Sequence, residues 1–295
     1  MTTFDLCTHL GRDKKHLFQK LQPIEKIKDT TKLKFPMWAS EKFDGVFCCA
    51  LKKPDGTIGI FSRTGEEYLS MEHLKLRLGN LLKETGAKFA LFEAWIPDTN
   101  QSEISGKCRD TKNQHEDLKA MCHSIVYCSS LIELSDRNAP TLGFIRRSLT
   151  DSMPYVKHVK VDSLDEAIEL ANSVWLRGGE GIVLNEINAP YQPGKRNVSM
   201  IKIKKILSYD LEVIGIDEGT GKYKGMVGAI RVRYKDGKVV TVSGMTDSQR
   251  KAWWKNPYEI IGKIVQIDAM TESSKGLLRE PRFKGIRYDK EEADF

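Results

Sequence analysis

Two stretches of the chain place β-rich segments on either side of a short Asp-Gly turn, and the second of them alternates inward-facing and outward-facing residues. The first, VFCCALKK-PDG-TIGIFSR, covers residues 46–63, and the second, AIRVRY-KDG-KVVTVSG, covers residues 229–244. A period of two is typical of strands, and Asp-Gly is favoured in tight hairpin turns. The pattern therefore predicts two β-hairpins, one in each half of the chain.

Three other segments place apolar residues three or four positions apart, as an amphipathic helix does. They cover residues 71–82, 163–179 and 246–254. The second begins with Ser163 and Glu166 spaced as a capping box. It should end at Gly178–Gly179, because glycine adopts the left-handed backbone that terminates helices. The third begins with the same spacing, at Thr246 and Gln249.

The spacing of the elements changes after residue 207. Up to that point strands and helices alternate, whereas the remainder holds closely spaced short strands with glycine-rich turns. The sequence therefore predicts an α+β protein of two domains, 1–207 and 208–295. A chain of 295 residues is long enough for each domain to bury its own core.

The positive charge of the chain is concentrated in its C-terminal part. The formal net charge is +7, and residues 202–290 carry 19 Lys and Arg against 11 Asp and Glu, while the rest carries 28 against 29. A basic module beside a nearly neutral one is typical of proteins that bind a phosphate backbone, because Lys and Arg displace its counterions. A solvated lysine-rich surface has the same composition, so charge alone leaves both interpretations open.

Membrane and export segments are not indicated. No run of about 18 apolar residues occurs, and residues 1–20 carry charges where a signal peptide needs an apolar segment. The six cysteines show no CxxC spacing, which argues against a zinc site or a disulfide framework and suits a reducing compartment. We therefore expect a cytoplasmic protein with free thiols.

The segment SEKFDG places Lys42 directly before an Asp-Gly turn and an apolar run. A lysine there presents its amine at the mouth of a pocket while the chain turns back into a sheet. A deprotonated amine attacks phosphorus, and desolvation or nearby cations lower the pKa of a lysine towards neutrality. Lys202 and Lys204 are two residues apart, so in a strand both amines lie on one face. Taken alone, Lys42 also fits a solvated turn lysine.

Two carboxylates lie within or beside apolar runs. Glu180 begins EGIVL, and Glu93 lies within LFEAWIP. Burying a carboxylate is costly unless it meets a metal ion, another cation or a hydroxyl group. Together the two acids are suited to hold a divalent cation or a ribose, whereas singly each fits an ion pair. Near the C-terminus Arg287, Asp289 and Lys290 alternate in RYDK, which by itself is an ordinary charged tail.

In this order, the segments resemble the covalent nucleotidyltransferase superfamily of ATP-dependent DNA ligases, RNA ligases and mRNA capping enzymes. The resemblance covers nearly the whole chain and rests on six elements. They are Lys42-Phe43-Asp44-Gly45 for KxDG, Ser62-Arg63-Thr64-Gly65 for a strand ending in arginine and glycine, Glu93 followed by the aromatic Tyr127, Glu180 for EGIV, Lys202 with Lys204 for the paired lysines, and Arg287-Tyr288-Asp289-Lys290 for RxDK.

The resemblance implies an ATP-grasp-like nucleotidyltransferase domain of antiparallel sheets with flanking helices, followed by a C-terminal OB-fold β-barrel. It implies that Lys42 forms a phosphoramidate with AMP from ATP. By the same resemblance Arg63 binds the ribose region of the nucleotide and Tyr127 stacks on the base. Lys202 and Lys204 then neutralise the charge that develops on the phosphate oxygens.

A divalent cofactor, Mg²⁺ or Mn²⁺, is also implied. The resemblance assigns Glu93 and Glu180 to the nucleotide and to this metal ion. The OB domain is expected to close over bound ATP and to reopen for DNA, about a hinge at the domain boundary. In the closed state Arg287, Asp289 and Lys290 orient the β- and γ-phosphates in line with the amine.

The C-terminal sequence favours the DNA ligase branch. GMVGAIRVRYKDGKVVTVSGMTDSQRKAWW and GLLREPRFKGIR resemble the OB domain of small, minimal ATP-dependent DNA ligases. The implied reaction seals nicks in duplex DNA: AMP passes to the 5′-phosphate, and the 3′-hydroxyl displaces it. We expect a monomer in the cytoplasm of a bacterium or a phage-infected cell, with contacts to the DNA backbone rather than to base edges. The expected DNA contacts are Asp44, Arg63, Arg196, Arg231 and Arg233.

One position departs from the family pattern. Phe47 stands where related ligases carry an arginine two residues after KxDG. Arg63 and the pair Lys195-Arg196 are the alternatives for the missing cation. In addition, Cys128 replaces the aspartate that often follows the stacking aromatic residue. The alternative functions are an RNA ligase, an mRNA capping nucleotidyltransferase, and an inactive nucleic-acid-binding module that keeps the OB surface.

Overall fold

The computed structural model describes residues 4–126, 156–187, 189, 191–273 and 276–295. The chain divides into two compact units, Met1–Lys204 and Lys205–Phe295. The first unit ends three residues before the end of the first predicted domain. Each unit has its own hydrophobic core.

The described part of the first unit forms two sheets with helices packed against them. Its strands are β1 (Lys20–Pro23), β2 (Met37–Lys42), β3 (Val46–Lys52), β4 (Ile58–Ser62), β5 (Phe89–Trp95), β6 (Lys119–Val126), β7 (His158–Val161), β8 (Gly181–Glu186) and β9 (Arg196–Lys204). Its helices are α1 (Leu6–Leu10), α2 (Glu72–Thr85), α3 (Gln101–Arg109) and α4 (Leu164–Leu176), with 3₁₀ turns at Ile24–Lys26 and Thr30–Lys32.

The four-stranded sheet has the order β4-β3-β5-β6 and is antiparallel throughout. Both of its faces are covered, which explains why VFCCAL is apolar without alternation. Because successive side chains of a strand point to opposite faces, Cys48 packs in the cluster that contains α2 and α3, and Cys49 packs in the cluster that contains α1. The pairing of β3 with β4 confirms the first predicted hairpin.

The five-stranded sheet has the order β1-β9-β8-β2-β7, with α4 packed against it. Ala167, Ala171 and Val174 of α4 are buried against this sheet, and their small side chains allow the helix to approach closely. The strand pairs are antiparallel except β1 with β9, which is parallel. The sheet is therefore antiparallel as expected, apart from this edge strand.

The predicted helix boundaries in the first unit are largely confirmed. Helix α2 begins one residue after Met71 and buries the predicted apolar face. Helix α4 ends at Leu176, and Gly178 adopts a φ of +82°. Its capping box is only half formed, since Ser163 accepts a hydrogen bond from the Glu166 amide, whereas the Glu166 carboxylate accepts from the amide of Asp162.

The second unit is a small barrel. Its strands are β10 (Leu207–Glu218), β11 (Val227–Arg233), β12 (Val239–Val242), β13 (Ile264–Ala269), β14 (Thr271–Glu272), β15 (Leu278–Arg279) and β16 (Arg282–Ile286), with α5 (Asp247–Lys255) and 3₁₀ turns at Gly221–Tyr223, Lys235–Gly237 and Pro257–Glu259. Five strands run in the order β12-β11-β10-β13-β16, and a bridge between Ser243 and Arg282 joins the two edges. This closed five-stranded arrangement is the barrel expected for the C-terminal domain.

Local sequence accounts for the turns of this barrel. The second predicted hairpin is confirmed by β11 and β12, whose turn places Asp236 and Gly237 at positive φ angles of 55° and 70°. Helix α5 begins with the complete capping box of Thr246 and Gln249. Its Trp253 packs in the barrel core, which contains many of the apolar residues of β10, β11 and β13.

Candidate active site

Lys42 lies where the chain crosses from the five-stranded sheet to the four-stranded sheet. It is the last residue of β2, where it pairs with Gly181 of β8, and β3 begins four residues later. Gly45 is required at this crossing, because a Cβ atom there would overlap the carbonyl oxygen of Ala94. The FDG turn thus connects the two sheets and leaves the lysine amine between them.

Lys42, Glu180 and Lys204 form a mostly buried charged group. Lys42 Nζ donates to Glu180 Oε2 at 2.6 Å, and Lys204 Nζ pairs with the other carboxylate oxygen. The two lysines carry two positive charges against one negative charge. The group therefore keeps a net positive charge that can attract a phosphate.

The backbone around Glu180 is held from two sides. Gly181 has a φ of +146°, and a Cβ atom at this position would overlap the carbonyl oxygen of Ile203. The indole Nε1 of Trp175 donates to the Glu180 carbonyl oxygen at 3.2 Å. Glycine is needed here because β8 and β9 approach closely, and this approach brings Glu180 to Lys204.

The two strand lysines share one face of β9, as predicted. Ile201 and Ile203 are buried, and Lys202 and Lys204 lie on the opposite side. Burial lowers the pKa of Lys202, and the positive charges of Lys204 and Lys42 lower it further. Lys202 is thus a third cation in the electrostatic environment of Lys42.

A cavity opens beside Lys42. Residues of both sheets line it, including Ser40, Val183 and Asn185 from one and Phe47, Leu91, Glu93 and His123 from the other. Burial raises the pKa of Glu93 to about 7, although the charges of Lys42 and Arg63 oppose this change. Glu93 is therefore an acid whose negative form needs a nearby cation.

We expect Glu93→Gln to become increasingly stabilising as the pH rises from about 5 to about 8. The Glu93 pKa is 4.5 in the unfolded reference and about 7 in the folded protein, so the folded protein binds this proton more tightly. The stability from the protonated carboxyl is fully present below 4.5 and is lost as the pH rises through 7. A change of this size corresponds to about 3 kcal/mol at most. Urea unfolding of both proteins at each pH measures it.

Glu84→Gln, at an exposed position of α2, is the control for removing one carboxylate. If the difference in unfolding free energy between Glu93→Gln and the wild type is the same at about pH 5 and about pH 8, the raised pKa of Glu93 is contradicted.

The sequence patterns missed His123. The pairing of β5 with β6 shifts register between Leu91 and Phe92, so His123 is an extra residue at a β-bulge. Such bulges redirect side chains beside functional sites. Burial lowers the pKa of His123 to about 3, so its imidazole is neutral at ordinary pH, and its Nδ1 lies 3.0 Å from the Ser124 hydroxyl. A regular period of two does not reveal which residue is bulged.

The RxDK residues form an ion-pair network within the second unit. Arg287 donates to both carboxylate oxygens of Asp289, at 2.9 and 2.7 Å, and to Asp210 at 2.7 Å. Lys290 pairs with the same oxygen of Asp210 at 2.5 Å. The bonds from Arg287 lower the pKa of Asp289 to about 2. Asp210 is buried on β10, and the sequence patterns missed it. Its only signal in the sequence is an acidic residue within the strand pattern SYDLEV.

The remaining predicted residues lie outside this centre or outside the described residues. Tyr127 falls among residues that the structure does not describe. Asp44 lies in the FDG turn, and its charge contributes to the raised pKa of Glu93. Arg196 is exposed at the start of β9.

The two basic residues predicted on the barrel hairpin are both ion-paired. Arg231 Nε lies 3.2 Å from Asp217, and Arg233 Nε lies 3.2 Å from Glu212. Both arginines are nevertheless exposed, so their outer N–H groups remain open to solvent. Of the two tryptophans of α5, Trp253 is in the core, while Trp254 is exposed.

Metal ligation in the described part of the chain is limited to small donor sets. No group of three or more His, Cys, Asp or Glu side chains there is arranged to hold a metal ion. The negative charge of Glu180 contributes to the raised pKa of Glu93. Mg²⁺ usually binds through one or two carboxylates and substrate phosphates, so this pair fits a metal ion that arrives with a nucleotide. The five described cysteines are free thiols.

Within the described ranges, no helix has the length and apolar character that crossing a bilayer requires.

Two family models match the chain in succession. The model described as ATP dependent DNA ligase domain matches residues 17–204, and the model described as DNA ligase OB-like domain matches residues 218–287. With the fold, these matches define a nucleotidyltransferase domain followed by an OB-fold domain, as the sequence predicted. The chain belongs to the ATP-dependent DNA ligase family.

Individual relatives agree with this assignment. The DNA ligase of African swine fever virus (isolate Tick/South Africa/Pretoriuskop Pr4/1996) is 27% identical over 263 residues, which are 83% of this chain and 62% of the viral protein. The chain thus spans less than two thirds of that relative. The solved structure named Pmar-Lig_PreS3 matches 92% of this chain and 68% of its own, with a TM-score of 0.75 and 24% identity. A structure from work on DNA binding by Lig E DNA ligases, with a minimal scaffold, matches 92% of this chain and 98% of its own, with a TM-score of 0.67 and 18% identity.

Proposed function

We propose that this chain is a DNA ligase that uses ATP to seal nicks in duplex DNA through a Lys42–AMP intermediate. One observation carries the proposal: the Lys42 amine lies at a cavity between two sheets, paired with Glu180 and close to two further lysines. Membership of the ligase family supplies the reaction class.

In the first step the Lys42 amine attacks the α-phosphorus of ATP. Lys42 first passes one ammonium proton to Glu180, whose Oε2 lies 2.6 Å away, and attacks as the neutral amine. The N–P bond forms as the bond to pyrophosphate breaks, and the second proton of the nitrogen passes to solvent. Lys202 and Lys204 stabilise the negative charge on the phosphate oxygens. The residues that hold the nucleoside are Arg63 and Glu93 at the ribose and Tyr127 at the base.

Glu93 and Glu180 are the residues that hold Mg²⁺ or Mn²⁺. When bound, the ion neutralises phosphate charge during the transfer. A cation beside Glu93 also offsets the burial that raises the pKa of this residue to about 7. Glu93 therefore takes its negative form more readily when a cation accompanies the nucleotide.

Arg287, Asp289 and Lys290 act on the β- and γ-phosphates of ATP in the first step. Asp210 holds the arginine and the lysine side by side, so the two cations are presented together. Two adjacent cations can bind the oxygens of a leaving pyrophosphate when they exchange carboxylate partners for phosphate. The family resemblance assigns these three residues to orienting the β- and γ-phosphates in line with the Lys42 amine.

In the later steps the chain acts as a monomer on nicked DNA in the cytoplasm. AMP moves from Lys42 to the 5′-phosphate, and the 3′-hydroxyl then displaces AMP and closes the strand. Basic side chains bind the phosphate backbone rather than base edges, because any nick must be accepted. The proposed DNA contacts are Asp44, Arg63, Arg196, Arg231 and Arg233.

A nick-sealing assay tests the proposal. The protein is incubated with Mg²⁺ and either ATP or GTP, and then with a nicked duplex whose nicked strand is DNA or RNA. We expect sealing of the DNA strand with ATP only, because both matched family models describe DNA ligase domains. Labelling by GTP alone would favour a capping enzyme, and sealing confined to RNA would favour an RNA ligase. Binding of DNA without any covalent nucleotide would indicate an inactive binding module.

A further inference from the structure

Phe47 and Arg63 form a stacked pair at the cavity. The Arg63 Cζ atom lies 4.2 Å from the centroid of the Phe47 ring, which is within cation–π range. Both side chains line the cavity that contains Lys42 and Glu93. Among the described residues, the carboxyl group of Glu93 is the one whose pKa the charge of Arg63 lowers, and no ion pair within 4 Å is formed between them. The guanidinium therefore has an aromatic neighbour and keeps its charge for a ligand.

The backbone beneath Arg63 is ordered by the turn that follows β4. The Ser62 hydroxyl accepts hydrogen bonds from the amides of Thr64 and Glu66, at 3.2 and 3.0 Å. The Gly65 amide donates to the Ser62 carbonyl oxygen at 3.1 Å, and Gly65 has a φ of +89°. These bonds fix the base of the Arg63 side chain.

The other end of the side chain is fixed by aromatic packing. The Phe47 ring lies 4.9 Å from the ring of Phe18 and 6.2 Å from the imidazole of His123, measured between centroids. Tilted aromatic contacts of this kind hold a ring in one orientation. A fixed ring in turn restricts the plane of the guanidinium that stacks on it.

Stacking leaves the N–H edge of the guanidinium available. The contact places the Arg63 Cζ atom over the Phe47 ring. The N–H donors of a guanidinium lie in its own plane and match the oxygens of a phosphate. An arginine at position 47 would instead repel Arg63. We propose that Phe47 is a positioning residue that orients Arg63 so that its N–H edge binds a phosphate oxygen of the substrate. This inference rests on the proposed function.

The phosphate has two possible sources in the reaction, the nucleotide and the 5′ end of the nick. Binding of AMP, measured by calorimetry, reports on the first. The ratio of affinities for nicked duplexes with a 5′-phosphate and with a 5′-hydroxyl reports on the second. Neither readout requires turnover, so both are independent of the rate of self-adenylation.

The variants Phe47→Leu, Phe47→Tyr, Arg63→Ala and Phe47→Leu with Arg63→Ala test the inference. Phe47→Leu keeps an apolar side chain but removes the aromatic face, and we expect about a three- to tenfold loss in one of the two phosphate readouts. Phe47→Tyr keeps the aromatic face and should restore the wild-type value to within about twofold. In the Arg63→Ala background, Phe47→Leu should cause no further loss, because it acts only through Arg63.

Thermal unfolding of each variant shows whether the variant is folded under the conditions of the binding measurements. If Phe47→Leu weakens phosphate binding equally with and without Arg63, Phe47 acts only in packing and the inference is wrong. The inference also fails if the wild type forms Lys42–AMP and Phe47→Leu matches it in both readouts, and the proposed function then stands. If the wild type neither binds AMP nor forms the adduct, the proposed function fails as well.

Discussion

Lys42→Ala is expected to abolish covalent AMP transfer to the protein. The amine of Lys42 is the proposed nucleophile, and the surrounding groups only bind the phosphate and stabilise its charge. Without this amine no group remains at the site to accept AMP from ATP. We therefore expect at least about a thousandfold loss of adduct formation. Incubation with radiolabelled ATP, followed by denaturing electrophoresis, measures the adduct.

Lys52→Ala is the matched control, because Lys52 is an exposed lysine at the end of β3. Its labelling should equal that of the wild type. Lys42→Ala should still bind nicked DNA, since the backbone contacts are made by other basic residues. Peptide mapping by mass spectrometry should find AMP on residue 42 of the wild type. An adduct on another side chain, or labelling of Lys42→Ala, would refute this nucleophile.

Arg287→Ala is expected to slow self-adenylation strongly and to spare sealing of a nick that already carries AMP. Arg287 lies beside Lys290 on the shared Asp210 carboxylate, and its proposed ligand is the pyrophosphate of ATP. Only the first step contains pyrophosphate. Loss of one charged contact to a leaving group costs about 10² to 10³ in rate, whereas sealing of pre-adenylated DNA should change by less than about threefold. Single-turnover measurements of the two steps compare them.

Lys284→Ala is the control for this variant. Lys284 lies on β16 and forms a surface ion pair with Asp268 at 3.5 Å, so its removal also deletes one positive charge from the second unit. Self-adenylation by this variant should match the wild type. Equal losses of both steps in Arg287→Ala would show that Arg287 serves the second unit as a whole and not the pyrophosphate.

Much of the fold could be predicted because it depends on local chemistry. The Asp-Gly turns, the capping box at Thr246 and the glycine after α4 act over a few residues, and each one has the predicted conformation. The predicted position of Lys202 and Lys204 on the same face of β9 also follows from the strand period of two residues. The parallel contact of β1 with β9 was not predictable, because residues that pair across 176 or more positions leave no local signal.

The sequence by itself determined the helices and strands, the class of fold and the order of the chemical groups. The helices and strands depend on neighbouring residues, and the motifs can be identified in order along the chain. Only the tertiary structure decided which of these groups meet. Glu180 reaches two lysines because β8 pairs with both β2 and β9. His123 reaches the cavity because a bulge redirects it, and Asp210 collects Arg287 and Lys290 across 77 and 80 positions. Such contacts depend on strand register and side-chain packing, which no short stretch of sequence encodes.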